Sequence, residues 1–246
     1  GIIFTVMPFT ILATDFQEHN RSGNYVAWDY AYNMLNSCEP NGIIFTNGDN
    51  DTFPLWYIQE VEKVRTDVRV VNLSLLNTPW YIEQLKNEEP KIPINLKDNN
   101  IAKMDPVFGT AYALKKWSSV WPMLKAQYNK YTTAQYGTNY SVSNFGIISN
   151  WGPTEVHIES GEKQIVWEIR PKLSNYLRVQ DIMILRIIED AIKTRPVYFA
   201  VTVAPNNRMG MDDYLEMEGL VYRVTFDKSP NDLSMPRLNY NRMVQN

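Results

Sequence analysis

With 246 residues, 44% of them hydrophobic and 21% charged, the chain has the make-up of a globular protein, which excludes a disordered or low-complexity one. The length allows one large domain or two small ones with an ample core. A net charge of −3 excludes the basic surplus by which a whole domain grips nucleic acid, and a single cysteine, Cys38, excludes an internal disulfide while leaving the redox compartment open.

Gly1–Leu12 (GIIFTVMPFTIL) carries no charge. It is too short to cross a bilayer, which takes about 20 apolar residues, and it lacks the basic start of a signal peptide. Two readings stand: the trailing end of a membrane helix, or a buried strand or helix. From Asn24 to Leu35 the apolar residues fall at helical spacing. Cys38 follows as a thiol expected to be buried, and Glu39-Pro40-Asn41-Gly42 forms a turn. Ile43–Thr46 reads as a buried parallel strand, Asn47–Thr52 as a polar loop, and Phe53–Val64 as a helix with Pro54 in its first turn. Asp67–Leu73 is a second buried strand. Thr78-Pro79 supplies an N-cap and first-turn proline for a helix through Leu85.

Residues 88–104 turn polar and extended. Phe108–Tyr131 reads as partly helical and Gly137–Gly152 as loop. Val156–Ile158 and Gln164–Ile169 alternate around Ser160-Gly161-Glu162, as in a β-hairpin. In Leu177–Lys193, Ile182, Leu185, Ile188 and Ile192 line one helical face. Val197–Val203 is a third buried strand, Asp212–Met217 a short helix, and Leu220–Phe226 a fourth strand, placed at an edge. The expected architecture is α/β: a Rossmann-like parallel sheet of three to four strands flanked by helices, with a β-hairpin and helical insertion. The expected division is 1–14 as the apolar segment, 15–226 as one α/β domain with its insertion at about 88–176, and 227–246 as a polar tail.

Ligands of open α/β sheets bind beyond the carboxyl ends of the strands, so the loop after the first strand is the leading candidate site. There Asn47, Asp49, Asn50, Asp51 and Thr52 offer oxygen ligands. Asp49 and Asp51 are suited to a divalent cation such as Mg²⁺ or Ca²⁺, although Asn-Gly is equally a turn signal and Asp51 or Thr52 an ordinary cap. His19 and Arg21 form a second candidate for anion binding or acid–base work, while His157 reads as a strand residue. Arg208 and Asp212 follow the third strand and would approach the first loop by the same sheet rule, Asp212 also being favoured as an acid at a helix start. The sequence has no Gly-rich phosphate loop, GxSxG elbow, HExxH or CxxC pair. Aromatic residues, 13% of the chain, leave core packing and carbohydrate stacking both open.

The stretch His19–Leu85, above all FTNGDNDTFPLWY (Phe45–Tyr57), resembles the soluble part of bacterial membrane proteins of the protein O-mannosyltransferase-like family. RPVYFAVTV (Arg195–Val203) and DDYLEMEGLVYR (Asp212–Arg223) resemble it again, and residues 87–176 add little. The resemblance implies a polytopic membrane half followed by a soluble region on the periplasmic face of the inner membrane. Gly1–Leu12 would then be the last of the membrane part. It further implies a polyprenyl-phosphate sugar as donor for the full-length protein, no cofactor required by this chain beyond the optional divalent cation, and a catalytic residue outside it. The partners implied are the protein's own membrane region or other envelope proteins, and a saccharide or polypeptide acceptor. A ligand- or metal-binding domain working through the Asp49/Asp51 loop, or a structural module of an envelope complex, stands as the alternative.

Overall fold

The structure, a computed structural model, describes residues 2–102, 154–169, 178–228 and 237–239. In chain order the elements are α1 (Ile2–His19), α2 (Val26–Ser37), β1 (Ile43–Thr46), α3 (Asp49–Glu60), β2 (Arg69–Asn72), a 3₁₀ turn (Leu75–Asn77), α4 (Pro79–Asn87) and α5 (Asp98–Ile101). A hairpin, β3 (Thr154–Ser160) and β4 (Lys163–Ile169), precedes α6 (Val179–Ala191) and β5 (Val197–Ala200). Two further 3₁₀ turns (Pro205–Asn207 and Asp212–Tyr214) lead to β6 (Leu215–Glu218), β7 (Val221–Val224) and β8 (Arg237–Leu238).

The fold is mixed α/β, built on a six-stranded sheet of order β2-β1-β5-β7-β6-β8. Strands β2, β1 and β5 run parallel, in register through Val71, Phe45 and Phe199. β7 pairs antiparallel with β5, β6 antiparallel with β7, and β8 parallel with β6. Every residue of β1 and β5 is buried, as expected of parallel strands covered on both faces. The Phe45 and Phe199 rings meet at 5.1 Å between centroids and tie the two central strands together by more than their ladder.

Several elements differ from their sequence expectation. The sheet is larger and mixed, because 215–218 forms a strand where a short helix is expected and because 221–224 lies inside the sheet, not at its edge. The reason is Gly219, whose φ of +64° permits the tight Gly219-Leu220 reversal that makes 215–224 a hairpin. A Cβ on Gly219 would lie 2.4 Å from the Ser37 hydroxyl oxygen, so α2 also seats on this turn. The α3 helix begins at Asp49, four residues before Phe53, so only Asn47 and Gly48 remain of the expected loop. Thr78 does precede Pro79 at the start of α4, but its hydroxyl donates back to the Leu75 carbonyl (2.6 Å) and caps no helical N–H. The β3–β4 hairpin forms about Gly161. Phe108–Tyr131 and Gly137–Gly152 lie outside the described residues.

The α6 helix is buried on every side from Val179 to Ile188, not along one stripe. Its polar residues are therefore paired. Asp181 accepts from the Arg178 backbone N–H (2.9 Å) and guanidinium in a capping-box arrangement, and Arg186 donates to Asp190 (2.7 Å) and the Asn95 carbonyl (3.2 Å). Another clamp joins the end of α2 to the turn before β2. Arg65 donates to the carbonyls of Leu35 (2.8 Å), Cys38 (2.9 Å) and Glu39 (3.1 Å) while its guanidinium fork holds Asp67. The carbonyls at and just beyond the C-terminus of α2, where helical partners run out, are engaged this way. Cys38 is buried beneath the clamp, and burial pushes its thiol well above the usual thiol range.

Ile2–Leu12 belongs to the 18-residue helix α1, with Pro8 inside it. Val6, Met7, Phe9, Leu12 and Phe16 are each more than half exposed. Among the described residues, no helix is long and apolar enough to cross a membrane.

Candidate functional site

The carboxyl ends of β1, β2 and β5 lie side by side because these strands are parallel neighbours. The residues that follow them therefore converge. In the inner layer Thr52 is the hub: its hydroxyl donates to the Gly48 carbonyl (2.7 Å), accepts from the Asn72 amide (2.9 Å) and meets the Thr46 hydroxyl at 2.7 Å. One donation and two acceptances exhaust a hydroxyl. Thr52 thus pins α3 to β1 and β2. The Asn72 side-chain oxygen in turn accepts the Leu75 N–H (3.0 Å) and fixes the turn after β2.

The outer layer joins the same edge to the loop after β5. Asp51, 8% exposed, accepts from the exposed Thr202 hydroxyl at 2.6 Å. Tyr30 of α2 faces this pair. Burial first, and the Asp51 charge second, raise its phenol above the usual tyrosine value, and the neighbouring Thr202 hydroxyl offsets part of that rise. Asn47 accepts from the Asn207 amide at 2.8 Å, and Asn207 accepts from the Arg178 guanidinium at 2.9 Å. Asn77 of the turn after β2 and Gln180 of α6 meet through their side-chain amides at 2.8 Å, and Asn77 also accepts the Gln180 backbone N–H (3.0 Å). The edge is thus a band of amides, hydroxyls and one buried carboxylate, hydrogen-bonded across β1, β2, β5 and α6.

The structure brings Asn47, Asp51 and Thr52 into this band and leaves Asp49 and Asn50 exposed on the first turn of α3. Two acids already occupy that turn, where the helix dipole favours them, so the same N-terminus does not favour an anionic phosphate. Of the two carboxylates, Asp51 is buried and accepts from Thr202 while Asp49 is exposed. Among the described residues, no group of three or more His, Cys, Asp or Glu is placed to hold a metal.

Arg208 and Asp212 follow β5 and pair with each other at 3.0 Å. The buried Arg208 guanidinium also lies 4.8 Å from the centre of the Tyr222 ring, a cation–π contact. Burial raises the Asp212 carboxyl and Arg208 offsets part of that rise. His19 and Arg21 are exposed at the end of α1. The His19 Nδ1 meets the Asp15 carbonyl of its own helix at 2.9 Å, and among the described residues neither is joined to the carboxyl-edge band. His157 is an exposed strand residue opposite Val166. Sequence reasoning missed Tyr30, Asn72 and Thr202. Thr202, two residues beyond a buried strand, carried the one signal available, since the sheet rule points to that position.

A family model described as TMEM260-associated domain 2 matches residues 27–242, and the chain belongs to that family. It is also similar to a Dictyostelium discoideum protein named Protein O-mannosyl-transferase tmem260, 24% identical over 80 residues. That similarity covers 32% of this chain and 10% of the relative, so the chain corresponds to a small part of it. No solved structure matches.

Proposed function

We propose that this chain is the extramembrane part of a glycosyltransferase-like membrane protein of the bacterial inner membrane. In this reading it is presented on the periplasmic face and helps recognise acceptor or donor during protein O-glycosylation. The observation that carries the reading is the family match across residues 27–242, supported by the similarity to the Dictyostelium protein named as an O-mannosyl-transferase. The carboxyl-edge band is compatible with it. Side-chain amides, hydroxyls and a carboxylate recognise hydroxyl-rich and amide-rich ligands, and they lie at the carboxyl ends of the parallel strands, where α/β folds bind. Transfer chemistry itself is assigned to the membrane half, together with any polyprenyl-phosphate donor. This chain contributes recognition and contacts with that half or with other envelope proteins.

The test is genetic and chemical. The gene is deleted, and hexose on envelope proteins is read by intact-protein and peptide mass spectrometry. The expected result is loss of O-linked hexose from a defined set of proteins, restored by the wild-type gene and restored only partly by a Thr202→Val, Asn47→Ala variant that is still inserted in the membrane. An unchanged glycoprotein pattern after deletion would overturn the reading.

A further inference from the structure

A groove of about 430 Å³ lies away from the carboxyl-edge band, along the free edge of β2, between α3 and α4. This volume is within the range of about 300–1,000 Å³ typical of small-molecule sites. Its aromatic lining is Trp56 from α3 and Trp80 and Tyr81 from α4. Trp80 is 56% exposed, far from the buried setting tryptophan usually has. The ring of Phe53, itself exposed, lies 5.9 Å from that of Trp56, so the aromatic surface continues beyond the groove along α3. Around these rings stand Gln84, Glu60 and Arg69.

Two features select the occupant. First, the edge of β2 is not open to another strand. The Tyr81 hydroxyl accepts from the Asn72 N–H (3.0 Å) and lies 3.3 Å from the Val70 carbonyl, and the Gln59 amide donates to Val68 O (2.7 Å). Side chains thus occupy the groups through which an extended peptide would add to a sheet. Second, the lining is weakly acidic, with two carboxylates against one guanidinium. Arg69 donates to the backbone carbonyl of Glu89 (3.0 Å), which holds the groove wall, and Glu60 and Glu89 oppose an anionic ligand.

An exposed indole (Trp80), a half-buried one (Trp56), the Gln84 amide and the Glu60 carboxylate around a weakly acidic cleft match one ligand chemistry. A pyranose offers an apolar C–H face to stack on a ring and vicinal hydroxyls to bond to forked acceptors and donors. We infer that the Trp56–Trp80 groove binds a neutral saccharide of one or two rings. The inference deepens the glycosylation reading, in which the bound sugar belongs to the donor or the growing glycan. Its physical argument stands on the groove alone.

The test uses the 246-residue chain with α-1,2-mannobiose, cellobiose and lactose as probes. The readouts are saturation-transfer NMR of each sugar and shifts of the Trp56 and Trp80 indole N–H signals, assigned through Trp→Phe variants. At least one disaccharide is expected to saturate with a Kd on the order of 1 mM. Trp80→Ala should weaken it at least about tenfold with an unchanged melting temperature, and the exposed Glu60→Gln should weaken it less. No saturation by any of the three sugars up to about 50 mM, well above that Kd, overturns the inference. So does binding that Trp80→Ala leaves intact, or an apolar peptide that shifts the two indoles when the sugars do not. Sugar binding combined with an unchanged glycoprotein pattern after gene deletion would sink only the functional reading. Lost glycosylation without sugar binding would sink only the groove.

Discussion

The Thr202 hydroxyl and the Asp51 carboxylate meet at 2.6 Å across a separation of 151 residues, closing the loop after β5 onto the first turn of α3. Asp51 is buried at that position, so its carboxylate oxygen needs a hydrogen-bond donor inside the protein. Thr202→Val keeps the side-chain shape and removes the hydrogen. It should cost about 1–3 kcal/mol, read as a lower urea midpoint with an unchanged slope, and Thr202→Ser should recover most of the loss. A Thr202→Val protein as stable as wild type would show that the Asp51 carboxylate is satisfied by other groups.

Thr52→Val should be more damaging than its small change in shape suggests. Packing is nearly conserved, but the Asn72 amide and the Thr46 hydroxyl lose their shared acceptor inside the protein. The expected loss is about 2 kcal/mol, against well under half of that for Thr52→Ser. Thermal unfolding of the two variants side by side separates the hydroxyl from the methyl.

Arg65 and Asp67 give the protein an acid sensitivity. The hydrogen bonds from Arg65, chiefly, and the N–H of Asn41 (2.8 Å) hold the Asp67 carboxyl below the usual carboxylate value. The unfolded chain, with an aspartate near pKa ~3.9, therefore takes up this proton first. The stabilisation is complete above that pH and is lost as pH falls through the lower folded value. Arg65→Lys, which cannot span three carbonyls and a carboxylate with one ammonium, should destabilise at neutral pH and flatten this part of the stability–pH curve. A curve of unchanged steepness would assign the acid sensitivity to other carboxylates.

Alkali should act through Tyr81. Burial, partly offset by its hydrogen bond to the Asn72 N–H, pushes its phenol up to about 12. The folded value exceeds the unfolded one of about 10, so the folded state retains its proton longer. The contribution is complete below pH ~10 and lost as pH rises toward 12. Tyr81→Phe should reduce that alkaline loss and lower neutral-pH stability by about 1 kcal/mol. It should also expose the β2 edge groups to pairing, which light scattering at high protein concentration would detect.

The sequence determined the local elements wherever one short run met one periodicity. Ile43–Thr46, Arg69–Asn72 and Val197–Ala200 are legible as strands because each lies in a short run rich in β-branched and aromatic residues between turn signals. The hairpin about Gly161 is legible from its alternation. By the sheet rule, the sequence also placed Asn47, Asp51 and Thr52 where the parallel strands end. It did not determine the antiparallel half of the sheet, because Leu215–Glu218 alternates over only four residues directly after Asp212-Asp213, acids that equally suit a helix start, and its place in the sheet is set by pairing with β7 and β8. Nor did it determine which polar residues meet. The partners of Asp51, Asn47 and Asn77 lie 151, 160 and 103 residues away, and hydrogen-bond partners at such separations are chosen by chain topology. The tertiary structure alone decided that Thr52 is used up as a pin, that Arg208 is answered by Asp212 and Tyr222, and that Trp56 and Trp80 share a groove, because each depends on which helices flank a given strand edge.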